Sequence, residues 1–424
     1  MRYGTICKPC ESVLFRTSTL LLVVLSASLP LAVASQELGR VGFGAAPLPA
    51  PEGDPLGGYG GLFSRNARGT RDTPQARALI LEQSERRAAL VVLDIVIARP
   101  DLRRGLDGWA QQNHVELLAL IASHTHSGPG GYLDGWLAKR LSSGRSIEGR
   151  GEELIAAARL ALDAALADLQ ETRVRVSTSD VSLAVNRRDG AGLAADRLAV
   201  LHFQHPAGDI LAVHYAMHPT VLRPSSRLYS GDYPAVLQRV LGERGFRSLF
   251  LPGPMGDQAP PERRGSETQD SHLERVGQAL AEAVLTGLPD AGFEVLTRLG
   301  SRVGRFELPA PKGRRFCALW WLRPFVSGSL TSFLSDSLEI QVLDLNQIHL
   351  ALLPLEPSLD LGRDLQANWP PDEPTFVVSH ANDWTGYALT QQEYDTGGYE
   401  ACLSFHGRDL ADRLLETSEA LSRD

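Results

Sequence analysis

The chain has 424 residues, 43% hydrophobic and 22% charged, with 42 basic side chains against 50 acidic ones. This is the composition of a globular protein with a sizeable core, and a net charge of −8 argues against nucleic acid and against an anionic membrane surface as the main partner.

The first 34 residues read as a secretory signal peptide. Arg2, Lys8 and Arg16 give a basic start, Leu20 to Ala34 is an apolar run broken by Pro30, and Ala32-Val33-Ala34 is an A-x-A cleavage pattern ahead of Ser35. The run is short for a membrane span, which needs about 20 residues, so an N-terminal anchor is the weaker alternative. Cleavage removes three basic residues against one acidic residue, Glu11, and makes the chain more acidic still. It also removes Cys7 and Cys10 of "CKPC". Cys317 and Cys402 remain, either paired in an oxidising compartment or buried as free thiols. The expected location is secreted or periplasmic.

Residues 35–424 read as one large domain, since no linker or repeat divides them. Two Gly- and Pro-rich stretches, Ala45 to Gly61 and Leu251 to Gly265, read as loops. Ala88 to Ala98 is an apolar strand buried on both faces, Leu102 to Asn113 a helix, and Val115 to Ala122 a second buried strand. Glu152 to Leu169 is an Ala/Leu-rich helix and Arg173 to Val185 a β segment. Leu198 to Gln204 and Ile210 to Met217 flank a "HPAGD" turn as a hairpin. Helices follow at Tyr233 to Gly245, capped by Ser230 or Asp232, and at Asp270 to Leu285, with a short strand at Leu249 to Leu251 between them. Leu338 to Leu345 and Ile348 to Leu355 form a second hairpin, and Arg408 to Leu421 a closing helix. Parallel crossovers and hairpins together predict an α/β fold of mixed α+β character, with a mixed β-sheet core flanked by helices.

Polar residues at the ends of apolar strands mark candidate chemistry. His124 and His126 end the strand Val115 to Ala122 and, two apart on an extended backbone, face the same way. They are either a hydrogen-bonded pair or metal ligands. His218 ends another apolar run and precedes Pro219; His214, four residues earlier, ranks below it. Glu356 lies between two prolines, where a buried carboxylate is costly unless paired or bound to metal, although it also precedes a helical pattern. Tyr387, Tyr394 and Tyr399 crowd a Gly-containing segment and are packing residues or ligands. Two histidines and a carboxylate suit a catalytic zinc shell with an open position.

Four separated stretches, in order, resemble the N-terminal catalytic domain of the neutral/alkaline (non-lysosomal) ceramidase family. They are "ASHTHSGPGG"; "YAMHPTVL" with "YSGDYPAVL"; "PGPMGDQAPP"; and "LLPLEPS" with "WTGYALTQQEYDTGGYE". The first and last are the most specific. The resemblance implies one zinc ion held by His124, His218, Glu356 and Tyr387. It places His126 and Tyr399 beside the substrate carbonyl and its developing oxyanion. It adds Asp257 to the catalytic group and sets Tyr59, Gly130 and Gly256 around the substrate. The implied reaction is hydrolysis of the amide of a ceramide-like N-acyl lipid, with zinc lowering the pKa of its water to about 7. Such a substrate is compatible with peripheral contact at a membrane; the oligomeric state stays open.

The chain departs from the family in three ways. Ala259 stands where the family has serine, which rules out a serine nucleophile there. The chain stops at Asp424, just after the last motif, so the family's C-terminal immunoglobulin-like domain is expected to be missing. Trp384 takes the place of another aromatic. The alternatives to a ceramide-like amidase are a catalytically impaired lipid- or metal-binding relative and a zinc hydrolase of another amide or ester. The expected lipid wall is the Gly58-Tyr59-Gly60 loop and "CALWWLRPFV", Cys317 to Val326, with Trp320, Trp321 and Phe325 flanked by Arg314, Arg315 and Arg323.

Overall fold

The computed structural model describes residues 38–59, 65–133, 144–188, 193–311 and 333–423. Its strands form three mixed sheets and two short pairs, where the sequence pointed to one sheet. The first sheet runs Leu117–Ala122, Arg86–Leu93, Gln75–Gln83, Arg40–Pro47, Gln170–Glu171. The second runs Arg247–Pro252, Ile210–Tyr215, Arg197–Phe203, Arg173–Asp180, Glu294–Val295. The third runs Leu299–Glu307, Ser337–Leu345, Ile348–Leu352, Thr375–Val378. Both expected hairpins form as antiparallel pairs, Arg197–Phe203 with Ile210–Tyr215 and Ser337–Leu345 with Ile348–Leu352.

The continuous apolar runs follow from burial on both faces. In Arg86–Leu93, Ala89, Val91 and Leu93 face an outer core closed by the helix Arg150–Ala167, while Ala88, Leu90 and Val92 face inward. The inner faces of all three sheets share one apolar core, to which Leu201, Leu251, Leu343 and Phe376 also belong. Helices cover the outer faces. Tyr233–Glu243 and Gln269–Gly287 pack on the second sheet, and Leu359–Ala367 and Leu410–Arg423 on the third.

Three local expectations change. The helix expected over Leu102 to Asn113 is two short helices, Pro100–Arg104 and Asp107–Gln112, which meet at Gly105. The segment Arg173 to Val185 is two strands, Arg173–Asp180 and Val185–Asn186, of which the second joins Gln258–Ala259 in a separate pair. Asp232, rather than Ser230, caps the helix Tyr233–Glu243.

Each sheet contains one parallel pair: Arg86–Leu93 with Leu117–Ala122, Ile210–Tyr215 with Arg247–Pro252, and Ile348–Leu352 with Thr375–Val378. The chain beyond the carboxyl ends of these strands carries His124, His218, Asp257, Glu356 and His380. Open α/β sheets gather ligands at the same ends.

Candidate metal centre and its cavity

The sharp turn after Leu117–Ala122 puts His124 in a left-handed backbone conformation at φ 68°. Its N–H is anchored on the Ile95 carbonyl at 3.0 Å. Strain of this kind in a non-glycine residue persists only where surrounding structure enforces it. The His124 Nδ1–H donates to the Val96 carbonyl, which fixes the tautomer and leaves the Nε2 lone pair pointing inward. His218 repeats the device. Its Nδ1–H donates to the Gln258 carbonyl at 2.9 Å, and its Nε2 lies 3.2 Å from Glu356 Oε2. His124 Nε2 is 3.7 Å from the same oxygen. All three side chains are buried.

Three lone pairs thus converge without a proton assigned between them, with ligand atoms all within 4.8 Å of one another. Burial pushes protonation of His124 down to about 4. Burial also opposes ionisation of Glu356, but His124, His380 and His218 outweigh it and hold the carboxyl well below its ordinary range. A carboxylate facing two imidazole nitrogens whose rings already donate from Nδ1 to backbone carbonyls calls for a cation. Donor atoms about 2.1 Å from a tetrahedral zinc lie roughly 3.4 Å apart, and the two carboxylate–imidazole distances bracket that value. These residues therefore fit a zinc-sized ion.

The surrounding groups orient this cluster. Trp384 Nε1–H donates to Glu356 Oε1 at 2.6 Å, so one carboxylate oxygen is fixed while the other faces the histidines. Glu356 and Tyr387 are register partners in a short parallel pair, Glu356–Pro357 with Tyr387–Ala388. The buried Tyr387 hydroxyl hydrogen-bonds with Glu356 and accepts from Arg187 Nη2 at 3.1 Å. Burial, then the Glu356 charge, push its ionisation well above the ordinary value. His126 Nδ1 accepts from the Tyr59 N–H at 3.3 Å, which puts the ring proton on Nε2, 3.3 Å from His124 Nε2. Burial, then His124 and His218, keep His126 neutral by lowering its pKa well below the usual range.

The cluster opens into a cavity of about 840 Å³ lined by Tyr59, His126, Ala259, Trp384, Tyr387 and Tyr399 among others. Tyr59 stands edge-on to His126 with ring centroids 4.7 Å apart, and its hydroxyl donates to the Leu222 carbonyl at 2.7 Å. Gly58, at φ 77°, carries the loop over His126 so closely that a Cβ would meet the imidazole at 2.4 Å. Tyr399 begins the helical turn Tyr399–Cys402 and is 61% exposed at the mouth, its ring 6.0 Å from that of Tyr387.

Three residues named from sequence sit behind the cavity and do not line it. The Asp257 carboxylate accepts from Leu359 N at 2.9 Å and from Asn186 Nδ2 at 2.6 Å, tying its loop to the start of the helix that follows Glu356. Gly256 lies against Pro357, where a Cβ would be 2.8 Å from the carbonyl oxygen. Gly130 N–H donates to the Pro55 carbonyl at 2.8 Å. His214 is buried in the core, with its Nε2–H on the Val377 carbonyl at 2.8 Å. Cys402 is disulfide-bonded. Cys317 and the expected wall from Arg314 to Val326 lie outside the described residues.

Two site residues carry no signal in the sequence. His380, fully buried at φ 59°, stacks on His124 with centroids 4.0 Å apart and planes 19° apart. Arg187 donates to Glu400, the Gly256 carbonyl and Tyr387.

Residues 40–241 match the family described as neutral/alkaline non-lysosomal ceramidase, N-terminal. Two solved structures share the fold. The crystal structure of neutral ceramidase from Pseudomonas aeruginosa aligns with a TM-score of 0.76 at 19% identity, covering 91% of this chain and 75% of that one. A structure described as ceramidase complexed with C2 aligns with a TM-score of 0.77 at 19% identity, covering 91% of this chain and 76% of that one. No curated protein matches by sequence. The motif-bearing loops, the converging histidines and the shared fold agree with this match, which places residues 40–241 with the N-terminal domain of the neutral/alkaline non-lysosomal ceramidases.

Proposed function

We propose that the protein is a metal-dependent amidohydrolase that cleaves the amide bond of an N-acyl lipid related to ceramide. The observation that carries this reading is the convergence of His124 Nε2, His218 Nε2 and Glu356 Oε2 beside a cavity with an apolar wall. The family match over residues 40–241 supports the amide, and the ceramidase complexed with C2 supports the lipid. His124, His218 and Glu356 would hold the ion, with Tyr387 as the fourth ligand. A zinc ion so held supplies Lewis acidity and a water of lowered pKa.

The chain's own residues supply positioning and hydrogen bonds. His126 presents an N–H toward the cluster and cannot easily give it up, because Tyr59 occupies its other nitrogen. With His124 Nε2 as a ligand, that N–H would be left for the substrate carbonyl oxygen, whose charge grows in the transition state. Tyr399 at the mouth is the second candidate donor. Arg187 holds the Tyr387 hydroxyl, and Trp384 holds Glu356. Ala259 borders the cavity without a hydroxyl, so that position supplies no serine nucleophile, and a metal-activated water fills the role in this reading. The bonded Cys402 supports an oxidising compartment and hence the reading of residues 1–34 as a signal peptide.

Metal content and hydrolysis of a fluorescent ceramide test this reading together. Chelation is expected to abolish release of the fatty acid, and added zinc to restore it. Full activity of the metal-stripped protein would overturn it.

A further inference from the structure

The cavity has two chemically different walls. Val96, Ile97, Phe333, Trp384, Leu403 and Phe405 are apolar. A second group in the lining is Tyr59 with Arg65, Arg223 and Arg227, gathered beside one another. Arg65 is 9% exposed, yet it has no carboxylate partner among the described residues. Its guanidinium donates to the carbonyls of Gly57 at 3.1 Å, Ser226 at 3.2 Å and His126, and its buried Nε has no acceptor. A buried cation without a counter-charge is costly. Burial, with Arg227 adding repulsion, lowers its pKa to about 10. Arg223 and Arg227 are exposed, and no ion pair holds either guanidinium among the described residues. The remaining arginine of the lining, Arg187, is neutralised by Glu400 at 2.8 Å. Of the two lining carboxylates, Glu356 belongs to the histidine cluster, and Glu262 is the one left for the rim.

A neutral head group brings no counter-charge to such a wall. We infer that the substrate is an N-acyl amide whose amine portion bears an acid group, a carboxylate or a phosphate, which the Arg65–Arg223–Arg227 wall binds while the acyl chain lies on the apolar wall. This rests on the amidohydrolase reading and adds the substrate class to it. Guanidinium groups recognise both anions by paired, charge-assisted hydrogen bonds. The reaction balances as hydrolysis: water oxygen goes to the acyl carbon, the C–N bond breaks, and a proton goes to the departing nitrogen. The products are a fatty acid and an amine that still carries its acid group.

The test uses zinc-reconstituted protein and three dodecanoyl amides in nonionic detergent: N-dodecanoylglycine, dodecanoyl ceramide 1-phosphate and dodecanoyl ceramide. At least one acid-bearing amide should exceed the neutral one about tenfold or more in kcat/KM, and which one does so identifies the anion. The doubly substituted Arg223→Ala/Arg227→Ala protein should bring that ratio toward one, chiefly through KM, and added salt should do the same. Equal or better turnover of the neutral ceramide, with a ratio indifferent to the two substitutions, would overturn the inference. Hydrolysis of none of the three would instead count against the amidohydrolase reading. The anion wall is then judged by calorimetric binding of N-dodecanoylglycine against N-dodecanoylglycinamide. Tighter binding of the acid, lost in the double variant, upholds it, and equal binding sinks it.

Discussion

At the scale of single residues, Trp384 shows how one substituted aromatic does a ligand's supporting work. Its indole N–H spends its hydrogen bond on Glu356 Oε1 and so decides which carboxylate oxygen faces His124 and His218. A hydrogen bond to a buried charge contributes about 1.5–3 kcal/mol, and losing such a partner typically weakens metal binding about 10–100-fold. Trp384→Phe keeps an aromatic ring and removes the donor. Competition with a chromophoric chelator should therefore show zinc affinity reduced in that range, with the fold intact by circular dichroism. Unchanged affinity would mean that the Tyr387 hydroxyl alone suffices to orient the carboxylate. His124, His218 and Glu356 were legible in the sequence because each ends an apolar run where a polar group has to be explained. Asp257 entered only through the family resemblance, and its structural partners were not legible, because Asn186 and Leu359 are remote in sequence. His380 was hidden for a similar reason. It reaches His124 only because Ala381 bridges Ile121 and the Asn382 side chain takes the Leu120 N–H.

At the scale of elements, two of the strands that sequence missed have patterns broken by packing demands. Arg40–Pro47 carries Gly42 and Gly44 because the helix Arg150–Ala167 lies directly on it; a Cβ at those positions would meet helix carbonyl oxygens at 2.0 and 2.1 Å. The closeness that buries the strand also erases its apolar signature. Leu299–Glu307 is interrupted by arginines and glycines and has few fully buried positions, so it gives no clear strand pattern. Asp232 illustrates an element boundary that sequence did reveal. It sits at φ 58° and accepts from Tyr233 N at 2.8 Å, Leu222 N at 2.9 Å and Val221 N at 3.2 Å. One carboxylate thus caps a helix and ties down the loop whose carbonyls hold the Tyr59 hydroxyl. Losing a cap costs about 1–2 kcal/mol, and stranding buried N–H groups costs about 1–3 kcal/mol more. Asp232→Ala should lower stability by about 3 kcal/mol, read as a lower urea midpoint at unchanged m-value. A midpoint equal to wild type would show that water reaches those N–H groups and replaces the carboxylate.

At the scale of the whole molecule, three sheets meet through one apolar core, and polar contacts also cross between them. His214 makes one. It belongs to the second sheet and donates to the Val377 carbonyl of the third. Neither the one-sheet expectation nor the spacing of His214 from His218 could show this role, since sheet-to-sheet packing leaves no local pattern. Burial pushes the His214 pKa down from its ordinary value of 6.5 to about 4. An unfolded chain takes up that proton near pH 6.5 and the folded chain only near pH 4, so acid favours unfolding across this window. The neutral-histidine contribution is fully present above about pH 6.5 and is lost as pH falls toward 4, a change of about 3 kcal/mol at 1.36 kcal/mol per unit. His214→Leu keeps apolar volume, gives up the hydrogen bond, worth about 1 kcal/mol, and removes the proton-binding group. In metal-free protein, urea midpoints should therefore favour wild type at pH 7.5. At pH 4.5 that advantage should vanish or reverse. A wild-type advantage of equal size at both pH values would place the proton linkage elsewhere and leave His214 as an inter-sheet contact without a role in acid sensitivity.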